Sequence, residues 1–564
     1  MELKSDVLII GGGLAGLTAA IKIKERKESL DVLIVDKAGI GWGNQAVGGG
    51  GLVVILPPDA DVDQWVKFLV AEGEYLNNQD WTYSYGGSLY ESIKATADWG
   101  VTYKRDEKGE LDMALPASYG AFPIKHVVFV SHKASLELKK TALAKGVKML
   151  NKIEVVDFLK DGERVVGAVG FNIVTGEFCV FKSRATVLAS GPCHYKNHRL
   201  FTNSCGEGLA AAYRAGAEHR NSEFGTKREY TDRYYGTWKR GPSILYLANA
   251  LGERIYHKHY PTGTPESAFK IALVMAKEVM AGRGPIYLDM TSPEAFDEAI
   301  TRLTRWTHEQ GAFFHMEKLL REKAGINLRK EKIEYIPSLT GRLGNIKVDL
   351  DCKATVEGLW AIGDICAQGC AWAGAEAPND FCGTGFSFAI VTGHIAGDSV
   401  AEFAPEAPEP KISKEEQEML RERIFAHMAI EKGLEPYDAI SRVQQAIVPV
   451  KYSLIREEGR LKEALGMLEE VRDEILPKVK AADPHNLVKF HEAESMTLCT
   501  EMIYRASLER TETRASFIRE DYPERDDKNW LKWTIIKKEN ERMALSTEPV
   551  PIASYKFKPE GYLD

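Results

Sequence analysis

Apolar and polar positions fall in blocks that predict an α/β protein from the first residues. Asp6–Ile10 (DVLII) is a short apolar run of strand length, and residues 17–26 (LTAAIKIKER) repeat their apolar positions at helical spacing. A second apolar run, Asp31–Asp36 (DVLIVD), predicts the next core strand. Residues 168–191 (AVGFNIVTGEFCVFKSRATVLASG) read as a meander of strands returning to a core strand that ends at Ala189-Ser190-Gly191. Residues 358–364 (GLWAIGD) predict another strand, ending in Gly363-Asp364. After the Pro-rich stretch 404–410 the period changes, and 412–428, 439–476 and 493–514 read as three amphipathic helical stretches. The tail, 521–564, reads as irregular.

Glycines punctuate this pattern where chemistry needs bare backbone. Gly11, Gly13 and Gly16 form GxGxxG around Leu14 and Ala15, between a predicted strand and a predicted helix. The first glycine permits the tight turn, the second a close approach of pyrophosphate, and the third close packing of helix on strand. The helix N-terminus offers free N–H groups to a phosphate. Asp36, with Lys37 beside it, closes the second strand 20 residues after Gly16, where a carboxylate accepts from a ribose. A second glycine-dense loop follows, holding Asn44, Gln45, Ala46, Gly48, Gly49 and Gly50, and lets backbone approach a flat ring. With Ala189-Ser190-Gly191 and Gly363-Asp364 at later strand ends, this dispersed set fits FAD stretched across a large domain rather than a compact NAD site.

Composition narrows the class. The 564 residues are 44% hydrophobic and 27% charged, which fits a globular chain and excludes collagen-like or largely disordered readings. The net charge of -8 leaves no broad basic field, so nucleic acid is not the expected partner. Eight cysteines without a CxxC pair give neither a disulfide scaffold nor a ferredoxin-type signature, and no metal-ligand set is predicted. No stretch of 18 apolar residues predicts a membrane span, so the expected location is cytoplasmic, or the cytoplasmic face of a membrane through a partner.

Several motifs resemble the flavoprotein subunits of the succinate dehydrogenase/fumarate reductase superfamily, which includes L-aspartate oxidase and the adenylylsulfate reductase alpha subunit. Ala46-Val47-Gly48-Gly49 resembles AQGG; Asn203–Gly208, with Gly206 and Glu207, and the following AAAYRAGAE resemble TGDG…AGA; Asn249–Arg254 resembles NxxGER. Residues 285–290 resemble a YLD stretch, Gly363-Asp364 a flavin-binding AxGE/D, and 510–533 the element ESRGAHxREDYPxRDDxNWLKH. The stretch 167–191, the turn Asp483–Leu487 and the lack of a flavin-linking histidine look closest to adenylylsulfate reductase. Trp42 stands in the region of that histidine, so FAD is expected to be non-covalent.

The resemblance implies a split Rossmann-like FAD-binding domain (1–225 and 335–405), an α+β capping domain (226–334), a C-terminal helical-bundle domain (411–520) and a tail (521–564). Gly385 and Phe386 join the implied cofactor contacts. It also implies a separate iron–sulfur subunit, since no second dinucleotide fingerprint is present. Departures from the family lie in the substrate motifs: 223–229 reads EFGTKRE, 338–346 reads SLTGRLGNI and 374–385 reads GAEAPNDFCGTG. Arg240-Gly241 is the best match to the arginine that donates a proton. Lys227, Arg228, Arg233, Lys239 and Arg240 put five cations in 14 residues, a basic spot suited to a small anionic substrate, with Tyr230, Tyr234, Tyr235 and Trp238 interleaved. Arg240, Arg228 and His132 are the catalytic candidates. The expected activity is reduction or dehydrogenation of a small anionic substrate. The alternatives are sulfite chemistry of the adenylylsulfate reductase type and a stand-alone oxidase of the L-aspartate oxidase type.

Overall fold

The computed structural model describes residues 1–43, 52–113, 115–116, 125–128, 131–197, 204–234, 245–261, 268–297, 312–366 and 384–562. Side chains at 52, 115–116, 126, 128, 131–133, 229, 268 and 312–316 are outside that description.

The main sheet has seven strands. Along its path lie Lys148–Asn151, β2 (Val32–Asp36), β1 (Glu2–Ile10), Phe178–Leu188, Arg164–Asn172 and Ile153–Asp161, and Leu359–Ala361 pairs the end of Phe178–Leu188. The pairings of β1 with β2 and with Phe178–Leu188 are parallel, with Ile9 opposite Ile34 and Val187. Val7, Leu8 and Ile9 are fully buried, as expected for a strand covered on both faces. The meander predicted over 168–191 forms two antiparallel pairings. Helix α1 (Leu14–Arg26) packs on Thr384–Glu406, where a Cβ on Gly393 would meet the carbonyl of Ala15. The parallel strands end together at Ile10, Asp36, Leu188 and Ala361, the edge of an open α/β sheet at which ligands bind.

A second sheet stands apart, in the order Arg228–Asp232, Ile333–Leu339, Ile286–Leu288 and Leu247–Ala248. Helix Ala268–Met280 covers it, and Tyr230, Met275, Ile286, Leu288 and Tyr335 form a core of its own. Beyond residue 411 the helices Pro436–Ile447, Glu458–Glu470 and Pro484–Glu509 pack together.

Two readings of the C-terminal third are corrected. The stretch 439–476 is not one helix: Pro449 breaks it, and the short strand Ile455–Arg456 intervenes. The tail is not irregular either. Lys532–Glu539 and Arg542–Pro549 form an antiparallel hairpin, whose first strand pairs with His219–Arg220. Its turn uses Asn540 and Glu541, both at positive φ, where a sequence reading looks for Asn-Gly. The consecutive buried residues Trp533–Ile536 hide the alternation of a strand.

Candidate active site

At the strand ends lies a cleft lined by Gly11, Gly13, Leu14, Ala15, Asp36, Lys37, Ala189, Ser190, Gly191, Glu207, Gly363 and Asp364. Gly11 has φ +110°, and a Cβ there would overlap the carbonyl of Ala189. A Cβ on Gly16 would overlap the carbonyl of Gly11, so this glycine sets how closely α1 approaches the loop. Gly13 caps α1 without a side-chain bond, and no acid stands in the first turn, which leaves the helix N-terminus open to an anion. Asp36 is held by two backbone donors, Gly12 N–H at 2.7 Å and Ala38 N–H at 2.7 Å. The Ser190 hydroxyl lines the cleft, buried and without a partner. These features fit a dinucleotide: bare backbone at the phosphates, a carboxylate at a strand end and a spare hydroxyl.

Sequence reasoning missed part of the wall. Glu154, Val155, Ser204, Gly208 and Ala389 also line the cleft. Lys37 is the centre of a buried ion cluster, bonded to Glu207, 3.1 Å from Glu492 and 3.5 Å from Glu154. Glu492 comes from helix Pro484–Glu509 and also pairs with Lys196 at 2.9 Å and Lys489 at 3.2 Å. Burial is the largest influence on Glu492, but Lys37, Lys196 and Lys489 outweigh it and hold its carboxyl down at about 2. Burial pushes the carboxyl of Glu154 up to about 8, against the pull of Lys37. Cys205, Glu207 and Glu492 lie close enough to share a cation, but the Lys37 ammonium already occupies that role.

From the cleft, Pro192 leads to a second polar region. His194 Nδ1 meets the carbonyl of Thr340, Asn197 donates to the carbonyl of Leu339, and Gln444 donates to the carbonyl of Tyr195. Thr340 donates in turn to the carbonyl of Lys227. The turn Ser222–Phe224, which delivers Thr226 and Arg228, is tied to the C-terminal hairpin by Asn221 and by Glu223. Glu223 accepts from Arg510 at 2.6 Å, and Glu512 accepts from both Arg510 and Arg514, with all four side chains fully buried. The motif at 510–533 is thus an ion network locking residues 221–224 in place.

A model described as FAD binding domain matches residues 6–379, and one described as fumarate reductase flavoprotein C-term matches 443–562. The chain belongs to the FAD binding domain family. One chain of the fumarate reductase (CoM/CoB) of Methanothermobacter marburgensis is 23% identical over 551 residues, 92% of this chain and 94% of that one. The E. coli quinol fumarate reductase FrdA structure superposes with TM-score 0.83 at 20% identity, covering 98% of each chain. An adenosine-5-phosphosulfate reductase in complex with sulfite (a covalent adduct) superposes with TM-score 0.77 at 20% identity, covering 98% of this chain and 96% of that one. This flavoprotein is a flavin-dependent oxidoreductase of the fumarate reductase/succinate dehydrogenase type, and its cofactor is FAD.

Other site residues of the flavoprotein fall as follows. Gly206 has φ +92° and starts helix Glu207–Arg214, while Gly385 and Phe386 are buried at the start of Thr384–Glu406; all three stand behind the lining. Asn44, Gln45, Ala46, Gly48, Gly49, Gly50, Asn203 and Arg240 lie outside the described residues. His132 falls in helix Ser131–Ala144 with its side chain outside the description. The basic segment is not one cationic face. Arg228 is fully buried and Lys227 nearly so, whereas Arg233 is exposed and pairs with Glu334. Tyr230 is in the core against Tyr335. Residues 228–232 form an edge strand of the second sheet, and Arg228 at its start is bonded to the carbonyls of Ile447 and Val448, a contact that spacing along the sequence does not reveal.

Proposed function

We propose that the chain is a catalytic flavoprotein subunit that moves two electrons between FAD and a small anionic substrate. A separate iron–sulfur protein exchanges those electrons with it. The observation that carries the reading is the continuity from the dinucleotide cleft, through Pro192 and His194–Thr340, to Arg228. Bound FAD supplies the two-electron chemistry. The N-terminus of α1 and the loop Gly11–Gly13 would hold the pyrophosphate, Asp36 would accept from the ribose, and Ser190 and Asp364 would serve the ribityl chain. Trp42 lines the cleft and stands in the region where the family resemblance puts the flavin-linking histidine, which supports FAD held without a covalent bond. Arg228 attracts the anion, Arg240 delivers or removes the proton, and His132 supports the flavin end. The relatives named as fumarate reductase favour chemistry at a C=C bond beside a carboxylate.

The iron–sulfur protein carries electrons because no second dinucleotide fingerprint is present. Among the described residues no helix is long and apolar enough to cross a membrane.

The test follows the flavin spectrum of purified protein. Fumarate should reoxidise the reduced flavin, and Arg240→Ala should slow it by roughly 100-fold or more if Arg240 is the acid. A response to AMP plus sulfite instead of fumarate would move the reading to the adenylylsulfate reductase type. Hydrogen peroxide release with L-aspartate under air would move it to the oxidase type. No response to any of these sinks it.

A further inference from the structure

Five arginines of the C-terminal seam are buried to 1% exposure or less, and two of them differ from the rest. Arg510 and Arg514 share Glu512, and Arg519 makes two bonds of 2.7 Å to Asp521. Among the described residues, Arg228 and Arg456 have no carboxylate. Arg228 spends one nitrogen, Nη2, on the carbonyls of Ile447 and Val448 and on the Ser453 hydroxyl. Its Nε and Nη1 have no acceptor. Arg456 donates through Nη2 to the Thr226 hydroxyl and lies over the Phe517 ring at 4.8 Å, and its Nε also has no acceptor. Thr226 donates to the carbonyl of Ser453, so Thr226 and Ser453 bridge the two arginines.

Such a pair is costly. Each guanidinium has left water, and the two repel each other; burial with that repulsion pushes Arg228 down to about 9. Burial, with the charge of Arg519, pushes Arg456 to about 10. The nearby phenol of Tyr504 is bonded to the carbonyl of Ala446 and is held neutral by burial, so it offers no charge. Glu223 bears on Arg456 but is already taken by Arg510 and Thr534. Water satisfies an orphan N–H but neutralises nothing. A planar or tetrahedral oxyanion does both, because its oxygens match the guanidinium fork.

We propose that Arg228 and Arg456 together clamp an oxyanion group of the substrate, one guanidinium from the second sheet and one from the C-terminal domain. This rests on the anionic-substrate reading above and adds Arg456, which nothing in the sequence pattern marked. The pair closes over the anion only when the C-terminal domain is docked, so specificity for the anion is built across a seam.

The test uses the FAD-loaded full chain in thermal-shift and calorimetric titrations. The probes are sulfate, inorganic phosphate and fumarate, each against chloride at equal ionic strength. Wild type should gain a saturable stabilisation from at least one oxyanion. Arg456→Met should lose it, with affinity at least roughly tenfold weaker, and Arg456→Lys should keep part of it. Arg456→Met should fold without loss, because it replaces an uncompensated buried charge by an apolar chain. Which probe saturates names the group: fumarate alone means a carboxylate, sulfate or phosphate a tetrahedral anion. The proposal is overturned if wild type answers all anions as it answers chloride, or if Arg456→Met binds them unchanged. If Arg456→Met does not fold, the comparison rests on Arg456→Lys, and an oxyanion affinity equal to that of wild type there also overturns it. A flavin that still turns over fumarate while the clamp fails leaves the functional reading standing.

Discussion

The two ends of this flavoprotein are built by opposite means. At the dinucleotide end the contacts are backbone: glycines that leave no room for a Cβ, a helix N-terminus and the ends of parallel strands. At the seam, the contacts are long charged side chains drawn from residues 223, 228, 456, 510, 512, 514 and 519. The charged clusters differ too. The Lys37 cluster is nearly closed, with Glu207 and Glu492 on one ammonium, two more lysines on Glu492, and only one oxygen of Glu154, 3.5 Å from Lys37, left without a hydrogen bond. The seam leaves Arg228 and Arg456 open. A closed cluster is a scaffold, whereas an open one asks for a ligand. On the proposal above, the cofactor is held by backbone geometry and the substrate anion by charged side chains.

The strongest way to break this contrast is to give the backbone end a side chain. Gly16→Val would drive a Cβ into the carbonyl of Gly11 and push α1 off the loop. The expected result is protein that purifies with little flavin, its 450 nm absorbance per chain down by roughly tenfold or more. Retention of full flavin would mean that the loop yields and that backbone closeness is not what holds the cofactor.

Next in size is the seam. Glu512→Gln leaves Arg510 and Arg514 buried without their shared carboxylate. The expected loss is about 3–5 kcal/mol in guanidinium unfolding. Asp398→Asn, which unpairs surface Arg26, is the control and should cost far less. Equal losses at the two sites would remove the distinction between a buried lock and a surface pair.

These two variants also explain what the sequence could say. The cleft was legible because glycine, strand and acid stand close in the chain: Gly11 to Gly16 and Asp36 are one βαβ unit, and a Cβ clash is a local fact. The distant strand ends at Ser190 and Gly363 follow the same local rule. Arg228 was picked out for its charge, but its burial depends on residues 447–453, which lie more than 200 positions away. Arg456 stands in a two-residue strand that pairs with Ile518–Arg519, and no period marks so short an element. The hairpin at 532–549 was missed because its turn is Asn-Glu and its first strand buries consecutive residues.

The smallest effect tests whether the cofactor end is purely backbone. Glu154 lines the cleft, and its carboxyl is raised to about 8, first by burial and then by Glu207 and Glu492, with Lys37 opposing. An acid raised in the folded state keeps a proton that the unfolded chain has lost, so its contribution to stability falls as pH rises from about 4.5 to about 8. The pyrophosphate of FAD adds negative charge to the same cleft and favours the protonated form further. FAD affinity should therefore be flat at pH 6–7 and fall above pH 8, by at most about tenfold per pH unit. Glu154→Gln keeps the shape and removes the titration, so its affinity, followed by quenching of flavin fluorescence in the apoprotein, should stay level to pH 9.5. If the variant falls in parallel with wild type, the slope comes from elsewhere, and the dinucleotide end is the backbone device the glycines suggest. If it flattens, a side chain tuned by Glu492 of a distant helix has a share in holding the cofactor, and the contrast between the two ends becomes one of degree.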